Sequence, residues 1–95
     1  MVIMKQFVVV AYDISDDKRR NKIAKTLEKY GLRCNESVFE CVLTDSGINK
    51  LKLKIEKLAN EKEDCILYYY LCKPCVLKRE NLGFRPDFQE EIIIL

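Results

Sequence analysis

The chain has 95 residues, 48% of them hydrophobic, and a formal net charge of +2 from 17 basic and 15 acidic side chains. This length and composition suit one globular domain over residues 1–95 and argue against disorder. The sequence contains no histidine, which excludes histidine-dependent hydrolases, deaminases and ribonucleases, so that catalysis would need carboxylates, a thiol, lysine, tyrosine or a metal.

The first predicted element is a strand over residues 7–12, whose six apolar residues lack alternation and therefore indicate burial on both faces. Asp13 ends this strand. An amphipathic helix follows over residues 18–30, preceded by the capping side chains of residues 15–17 and terminated by Gly31. The predicted order so far is a buried strand, a polar turn and a helix.

Residues 33–43 are predicted to be a strand, with a possible break near Asn35 and Glu36. Helical spacing of apolar residues then predicts a second helix over residues 48–59. Residues 65–72 form another apolar strand, which Pro74 ends, and residues 92–95 resemble a short terminal strand. This order predicts an α+β protein of ferredoxin-like βαββαβ plan, with an antiparallel sheet, two helices on one face and an additional short C-terminal strand.

The second face of this sheet would lack a helical cover, although the strands supply apolar residues to both faces. We therefore expect a homodimer that pairs through the open sheet face, with the terminal strand adding to the partner. The run Tyr68, Tyr69 and Tyr70 is interpreted as core or dimer packing rather than a base-stacking platform, because residues 65–72 carry no charge.

Positive charge is concentrated in one segment. Residues 18–33 contain seven basic side chains and one acidic side chain, Glu28. We interpret the exposed helix face as a phosphate-backbone surface, although a solvated helix face would show a similar pattern. The proposed nucleic-acid-binding residues are Lys18, Arg19, Lys22, Lys25 and Lys29. Arg20 falls on another side of the helix and should point toward Asp13, either to bind phosphate or to form a local ion pair.

Asp13 follows the first strand and directly precedes the basic helix. Such a carboxylate serves either as a capping group or as a ligand for Mg²⁺, which proteins commonly hold with one or two carboxylates and waters. Two Asp13 side chains, one from each protomer, would make a fuller site than one. Asp13 is therefore both the predicted metal ligand and the predicted catalytic residue.

The five cysteines include the pair Cys72 and Cys75 in a C-x-x-C spacing. We interpret this pair as small apolar filler at a strand end rather than a redox or zinc site, because no helical pattern follows it and no second C-x-x-C exists. An odd cysteine count argues against a secreted disulfide framework, and the N-terminal residues do not form a signal or membrane segment. We expect a cytoplasmic protein without membrane attachment.

The segments VVVAYDIS, DDKRRNKIAKTLEKYG and LRCNESVFECVLT, with the tyrosine-rich strand and its C-x-x-C, resemble the CRISPR-associated Cas2 family. The resemblance implies a ferredoxin-like homodimer that binds Mg²⁺ through paired Asp13 residues and cleaves RNA or double-stranded DNA. It further implies four catalytic positions beside Asp13, namely Tyr12, Arg20, Arg33 and Phe39, and it implies Lys22 as a functional position of the basic helix. The sequence has Asn35 where many members have Gln.

The resemblance also implies a protein partner, the CRISPR integrase Cas1, with the chain acting as a scaffold for captured DNA. Two functions consequently stand side by side. One is a Mg²⁺-dependent endonuclease on RNA or DNA that also belongs to the spacer-integration complex. The other is a scaffold that binds nucleic acid without catalysis. A thiol or zinc protein is a distant third.

Overall fold

The computed structural model describes residues 4–83, which form four strands and three helices. In chain order these are β1 (Lys5–Asp13), α1 (Asp17–Glu28), β2 (Gly31–Asn35), β3 (Val38–Thr44), α2 (Asp45–Leu58), β4 (Cys65–Leu71) and α3 (Lys73–Leu77). The strands make one antiparallel sheet in the order β2-β3-β1-β4. The predicted ferredoxin-like βαββαβ plan is therefore confirmed for this part of the chain. The terminal strand predicted at residues 92–95 lies outside the described residues.

Both long helices begin at a side-chain cap. The Asp16 carboxylate accepts a hydrogen bond from the Arg19 backbone N–H at 2.9 Å, and the Thr44 hydroxyl oxygen accepts one from the Gly47 N–H at 3.1 Å. These bonds satisfy backbone donors that the first turn of a helix cannot pair internally. The caps place the start of α1 one residue, and of α2 three residues, before the predicted starts.

The predicted break between β2 and β3 is present. The Asn35 side-chain oxygen accepts a hydrogen bond from the Ser37 N–H at 2.9 Å, which closes a tight turn. At the other end of β2, a Cβ on Gly31 would lie 2.4 Å from the Glu40 carbonyl oxygen and 2.5 Å from the Cys41 Sγ. Glycine is therefore required where β2 approaches β3.

One face of the sheet, here called the closed face, carries α1 and α2. Its core contains side chains from the strands and both helices, all at most 6% exposed: Val8, Val10, Tyr12, Ile14, Ile23, Ala24, Leu27, Phe39, Cys41, Ile48, Leu51 and Ile55. The alternation of β1 aims Val8, Val10 and Tyr12 at the helices. Burial of this apolar surface stabilises the fold and fixes the end of β1 against α1.

The other face, here called the open face, is formed by the alternate residues of the same strands, including Phe7, Val9, Leu67, Tyr69 and Leu71. The short helix α3 covers only one end of it. There Val76 packs on Phe7, and Val9, Val42 and Leu71 surround them. Leu67 and Tyr69, farther along β4, are 46% and 52% exposed.

The helix α3 contradicts one interpretation of the sequence. It begins directly after Cys72, and both Cys72 and Cys75 are exposed rather than buried filler. Five residues are too few to show an apolar helical period, and Pro74 is compatible with the first helical turn because that turn needs no N–H from it.

No helix within residues 4–83 has the length and hydrophobicity that crossing a membrane would require.

Candidate active site at the end of the first strand

The end of β1 opens into a cleft of about 690 Å³ between α1 and the β2–β3 turn. Its lining includes both acidic and basic side chains: Tyr12, Asp13, Ile14, Arg20, Asn21, Ala24, Arg33, Glu36 and Ser37. Four of the five residues predicted as catalytic, Tyr12, Asp13, Arg20 and Arg33, thus lie around one cleft, and the fifth, Phe39, packs beneath it.

Tyr12 is buried at the base of the cleft. Its hydroxyl donates a hydrogen bond to the Glu36 carbonyl oxygen at 2.7 Å, and its ring stacks on Phe39 with centroids 6.3 Å apart. Burial raises the pKa of the Tyr12 phenol, and the nearby Arg33 guanidinium opposes part of that rise. Tyr12 therefore remains a neutral hydrogen-bonding group that ties β1 to the β2–β3 turn, and Phe39 supports it from below.

The Arg33 side chain extends from β2 and lines the cleft. Its guanidinium lies 5.5 Å from the centroid of the Phe39 ring and donates hydrogen bonds to the carbonyl oxygens of Glu36 at 2.8 Å and Asn35 at 3.2 Å. It also lies 3.6 Å from the Glu28 carboxylate. These contacts orient the charged group while leaving its side chain 43% exposed. The sequence suggested the residue but gave no sign of the Glu36 contact, which depends on the turn.

Arg20 approaches the cleft from the first turn of α1. It donates a hydrogen bond to the Ile14 carbonyl oxygen at 3.1 Å and forms an ion pair with Asp17, one turn back along the helix. Of the two alternatives considered from the sequence, the local ion pair is present, and Arg20 also lines the cleft, so phosphate binding stays a prediction. Its side chain is 39% exposed and lines the cleft.

The Asp13 side chain is exposed and, among residues 4–83, its carboxylate makes no hydrogen bond or ion pair. It borders the cleft and also a hollow of about 140 Å³ lined by Ala11, Cys65 and Leu67. In the sheet it pairs with Cys65 at the start of β4. The carboxylate thus stands at the rim between the cleft and the open face.

The donor set fits a hard cation only in part. An unpaired, exposed carboxylate is the ligand type that Mg²⁺ takes in proteins, usually with waters and substrate phosphate oxygens. Within the described residues, however, no group of three or more Cys, Asp or Glu side chains is close enough to hold a metal. Asp13 and Glu36 are the carboxylates among the residues that line the cleft of one chain, so the remaining ligands would have to be waters, phosphate oxygens or groups from another molecule.

The predicted nucleic-acid-binding residues separate into two groups. The lysine row, defined as Lys18, Lys22, Lys25 and Lys29, is exposed along α1, and within residues 4–83 its ammonium groups have no ion-pair partner. Arg19 differs, because it donates hydrogen bonds to both carboxylate oxygens of Asp64 at 2.9 and 3.1 Å and to Glu63 at 2.9 Å. Its geometry favours a structural link between α1 and the turn before β4.

The family model for CRISPR-associated protein Cas2 matches residues 4–79. A Chloroflexus aurantiacus protein named CRISPR-associated endoribonuclease Cas2 1 is 44% identical over 92 residues, covering 94% of this chain and 99% of that protein.

Solved structures agree with the sequence comparison. The crystal structure of Streptococcus pyogenes Cas2 matches with a TM-score of 0.73 and 34% identity, over 81% of this chain and 99% of that one. A chain in a structure described as a partial Cas6-RT-Cas1–Cas2 complex matches with a TM-score of 0.70 and 29% identity, over 81% and 90%.

Fold and site together define a small ferredoxin-like α+β protein with an unpaired strand-end aspartate, two arginines at the same cleft and a lysine-lined helix. Within that class, the length of the family match and the identity to full-length relatives decide the family. The chain belongs to the CRISPR-associated Cas2 family.

Proposed function

We propose that the chain is a homodimeric, Mg²⁺-dependent phosphodiesterase that cleaves RNA or double-stranded DNA and binds nucleic acid during CRISPR adaptation. The observation that carries this proposal is the unpaired Asp13 carboxylate at a cleft that also presents Arg20 and Arg33. A metal-binding carboxylate beside two phosphate-binding cations is the combination that phosphodiester hydrolysis needs when histidine is absent.

The residues of the cleft would have different roles in hydrolysis. Asp13 would hold Mg²⁺, which when bound would neutralise phosphate charge and lower the pKa of a coordinated water. Arg20 and Arg33 would bind non-bridging phosphate oxygens, because both side chains are oriented by hydrogen bonds but remain 39% and 43% exposed. Tyr12 and Phe39 would hold the end of β1 and the Arg33 side chain in position and would not transfer protons.

A homodimer would complete the site. Asp13 also borders the hollow on the open face with Ala11, Cys65 and Leu67. If two open faces packed together there, the partner's Asp13 would approach the same region and supply a further carboxylate. The exposed apolar surface of Leu67 and Tyr69 supports this packing.

The test is Mg²⁺-dependent cleavage of RNA and of duplex DNA by the wild-type chain and by Asp13→Asn. Loss of the metal ligand should lower the cleavage rate by about 100-fold or more. Asp45→Asn is the matched control. Asp45 is an exposed aspartate at the start of α2, next to the end of the sheet where β1 begins, and therefore lies at the other end of β1 from Asp13. An Asp13→Asn variant that cleaves at the wild-type rate would show that the catalytic assignment is wrong.

A second candidate is a scaffold that binds nucleic acid without cleaving it and bridges subunits of a Cas1-type integrase. The unpaired lysine row favours it, because neutralising phosphates with exposed lysines requires no catalytic group. The likeness to a Cas2 chain in a structure described as containing Cas1 supports the integrase as partner.

Duplex binding at several salt concentrations tests the scaffold. The double variant Lys22→Glu and Lys25→Glu should bind more weakly and show a salt slope reduced by about two. The double variant Lys50→Glu and Lys57→Glu is the matched control, because it makes the same change of charge at two exposed lysines of the other long helix, α2. An unchanged slope in the α1 variant would overturn this use of the lysine row. Normal binding by Asp13→Asn without cleavage would separate the two functions.

A further inference from the structure

The exposed pair Cys72 and Cys75 lies at the end of the sheet opposite Asp13. Their Sγ atoms are 3.5 Å apart, close enough to share a hydrogen bond. Cys72 caps α3 in an extended conformation, with φ −71° and ψ 161°, and Cys75 is the third residue of that helix. This turn holds the two thiols side by side on the surface.

The other cysteines provide an internal comparison. Cys41 is buried, and burial raises the pKa of its thiol to about 12, which makes it inert near neutral pH. Cys34 is half-buried and donates toward the Leu32 carbonyl oxygen at 3.9 Å. Cys65 is exposed, and within residues 4–83 no other cysteine sulfur contacts it. Only Cys72 and Cys75, among the described residues, combine exposure with a second thiol within reach.

We propose that Cys72 and Cys75 form a dithiol site that exchanges with low-molecular-weight disulfides and closes to an intramolecular disulfide. The bond requires the sulfurs to approach from 3.5 Å to about 2.05 Å. Such an approach needs only side-chain rotation within one turn, since the helix already fixes both Cα positions. The site is separate from the Asp13 cleft and does not depend on nuclease activity.

The two thiols have different roles in the exchange. Hydrogen bonding with Cys75, first with its backbone and then with its thiol, lowers the pKa of Cys72, whereas the interaction with Cys72 raises the pKa of Cys75. Cys72 also lines an open hollow of about 540 Å³ beside Phe7 and Leu71, which admits a small reagent. Cys72 is therefore the attacking thiol and Cys75 the resolving thiol.

The reaction balances with a small disulfide as the oxidant. The Cys72 thiolate attacks one sulfur of the reagent, breaks its S–S bond and forms a mixed disulfide while releasing one thiol. The Cys75 thiolate then attacks the Cys72 Sγ and displaces the second thiol. Two electrons pass from the protein to the reagent, and the two protein protons end on the two released thiols.

The experiment treats the fully reduced wild-type chain with oxidised glutathione and alkylates the remaining thiols before intact-mass and peptide analysis. Two of the five thiols should become resistant to alkylation while no glutathione is attached to either of them. Peptide analysis should show a disulfide that joins Cys72 to Cys75. Closure should be about tenfold faster than glutathione addition at Cys65. Five free thiols, a stable adduct on Cys72 in the wild type or a link between another pair would overturn the proposal.

Two variants make the test sharper. Cys75→Ser removes the resolving thiol, so a glutathione adduct should accumulate on Cys72. Cys65→Ser is the matched control and should close as the wild type does. The wild-type experiment decides the proposal by itself, so the test does not depend on the folding of either variant. Far-ultraviolet circular dichroism would show whether each variant is folded.

Discussion

The closed face and the open face of the sheet are made by alternate residues of the same strands, but they are covered very differently. On the closed face, helices of 12 and 14 residues bury a core that includes Phe39 and Leu27. On the open face, a helix of five residues covers only Phe7 and its neighbours. Most of the buried core therefore lies on the closed face, whereas apolar side chains such as Leu67 and Tyr69 stay exposed on the open face.

The largest effect should come from the closed face. Leu27→Ala removes a fully buried side chain between α1 and the sheet and should lower the free energy of unfolding by about 2–5 kcal/mol in urea denaturation. Leu53→Ala on α2 is the control, since Leu53 is 57% exposed, and its effect should stay within about 0.5 kcal/mol. Equal effects of the two substitutions would contradict the burial of Leu27 in the core of the closed face.

The next effect concerns the covered end of the open face. Arg79 donates to both Glu40 carboxylate oxygens at 2.9 Å and lies 4.8 Å from the centroid of the Phe7 ring. Arg79→Ala should lower the free energy of unfolding by about 3 kcal/mol, because it leaves the buried Glu40 charge without this partner. Glu28→Ala, which breaks the exposed pair with Arg33, should cost less than about 1 kcal/mol. Equal losses would show that the open face has no buried ion pair.

A smaller, pH-dependent effect should come from the link between α1 and the turn before β4. Hydrogen bonds from Arg19, and then from the Asn60 N–H, hold the pKa of Asp64 below its ordinary value of 3.8. Since the folded pKa is the lower one, the stabilisation is present above about pH 4 and is lost as the pH falls through the folded pKa. The stability difference between wild type and Asp64→Asn should therefore shrink in denaturation curves below pH 4. In an Arg19→Met background the pH dependence should be weaker, and an unchanged one would contradict the link.

The smallest effect on the stability of one chain should come from Leu67→Glu on the open face, within about 0.5 kcal/mol. Its effect on association should be clear, because a charge in an apolar interface opposes packing of two open faces. Sedimentation at micromolar concentration should show a wild-type dimer and a largely monomeric variant. Leu53→Glu, an exposed leucine on the other side of the sheet, should remain dimeric. A monomeric wild type would contradict the proposed homodimer.

Local patterns in the sequence predicted much of this molecule. The unbroken apolar run before Asp13, the helical spacing of Ile23 and Leu27, and the turn residues near Asn35 each depend on neighbours within a few positions. The same reasoning separated Arg20 from the lysine row, because the angle between residues of a helix follows from their spacing alone. The residues of the candidate site could accordingly be named before their geometry was known.

Long-range pairing was beyond those patterns. Arg19 and Arg20 are adjacent and chemically alike, yet Arg19 binds Asp64, 45 positions away, while Arg20 faces the cleft. The helix after Cys72 was missed for a related reason, since five residues carry too little periodicity to be recognised and their burial of Val76 depends on Phe7. Sequence reasoning therefore assigned Arg19 to the nucleic-acid surface and Cys72 to filler.

The sequence by itself determined the order of strands and long helices, the basic character of α1 and the exclusion of histidine-dependent catalysis, because composition and short-range spacing encode these properties. Only the tertiary structure decided which cations are paired, how Tyr12, Arg20 and Arg33 surround the Asp13 end of β1, and that Cys72 meets Cys75 on the surface. Those features depend on contacts between side chains that the packing of strands and helices brings together, and no local pattern specifies such contacts.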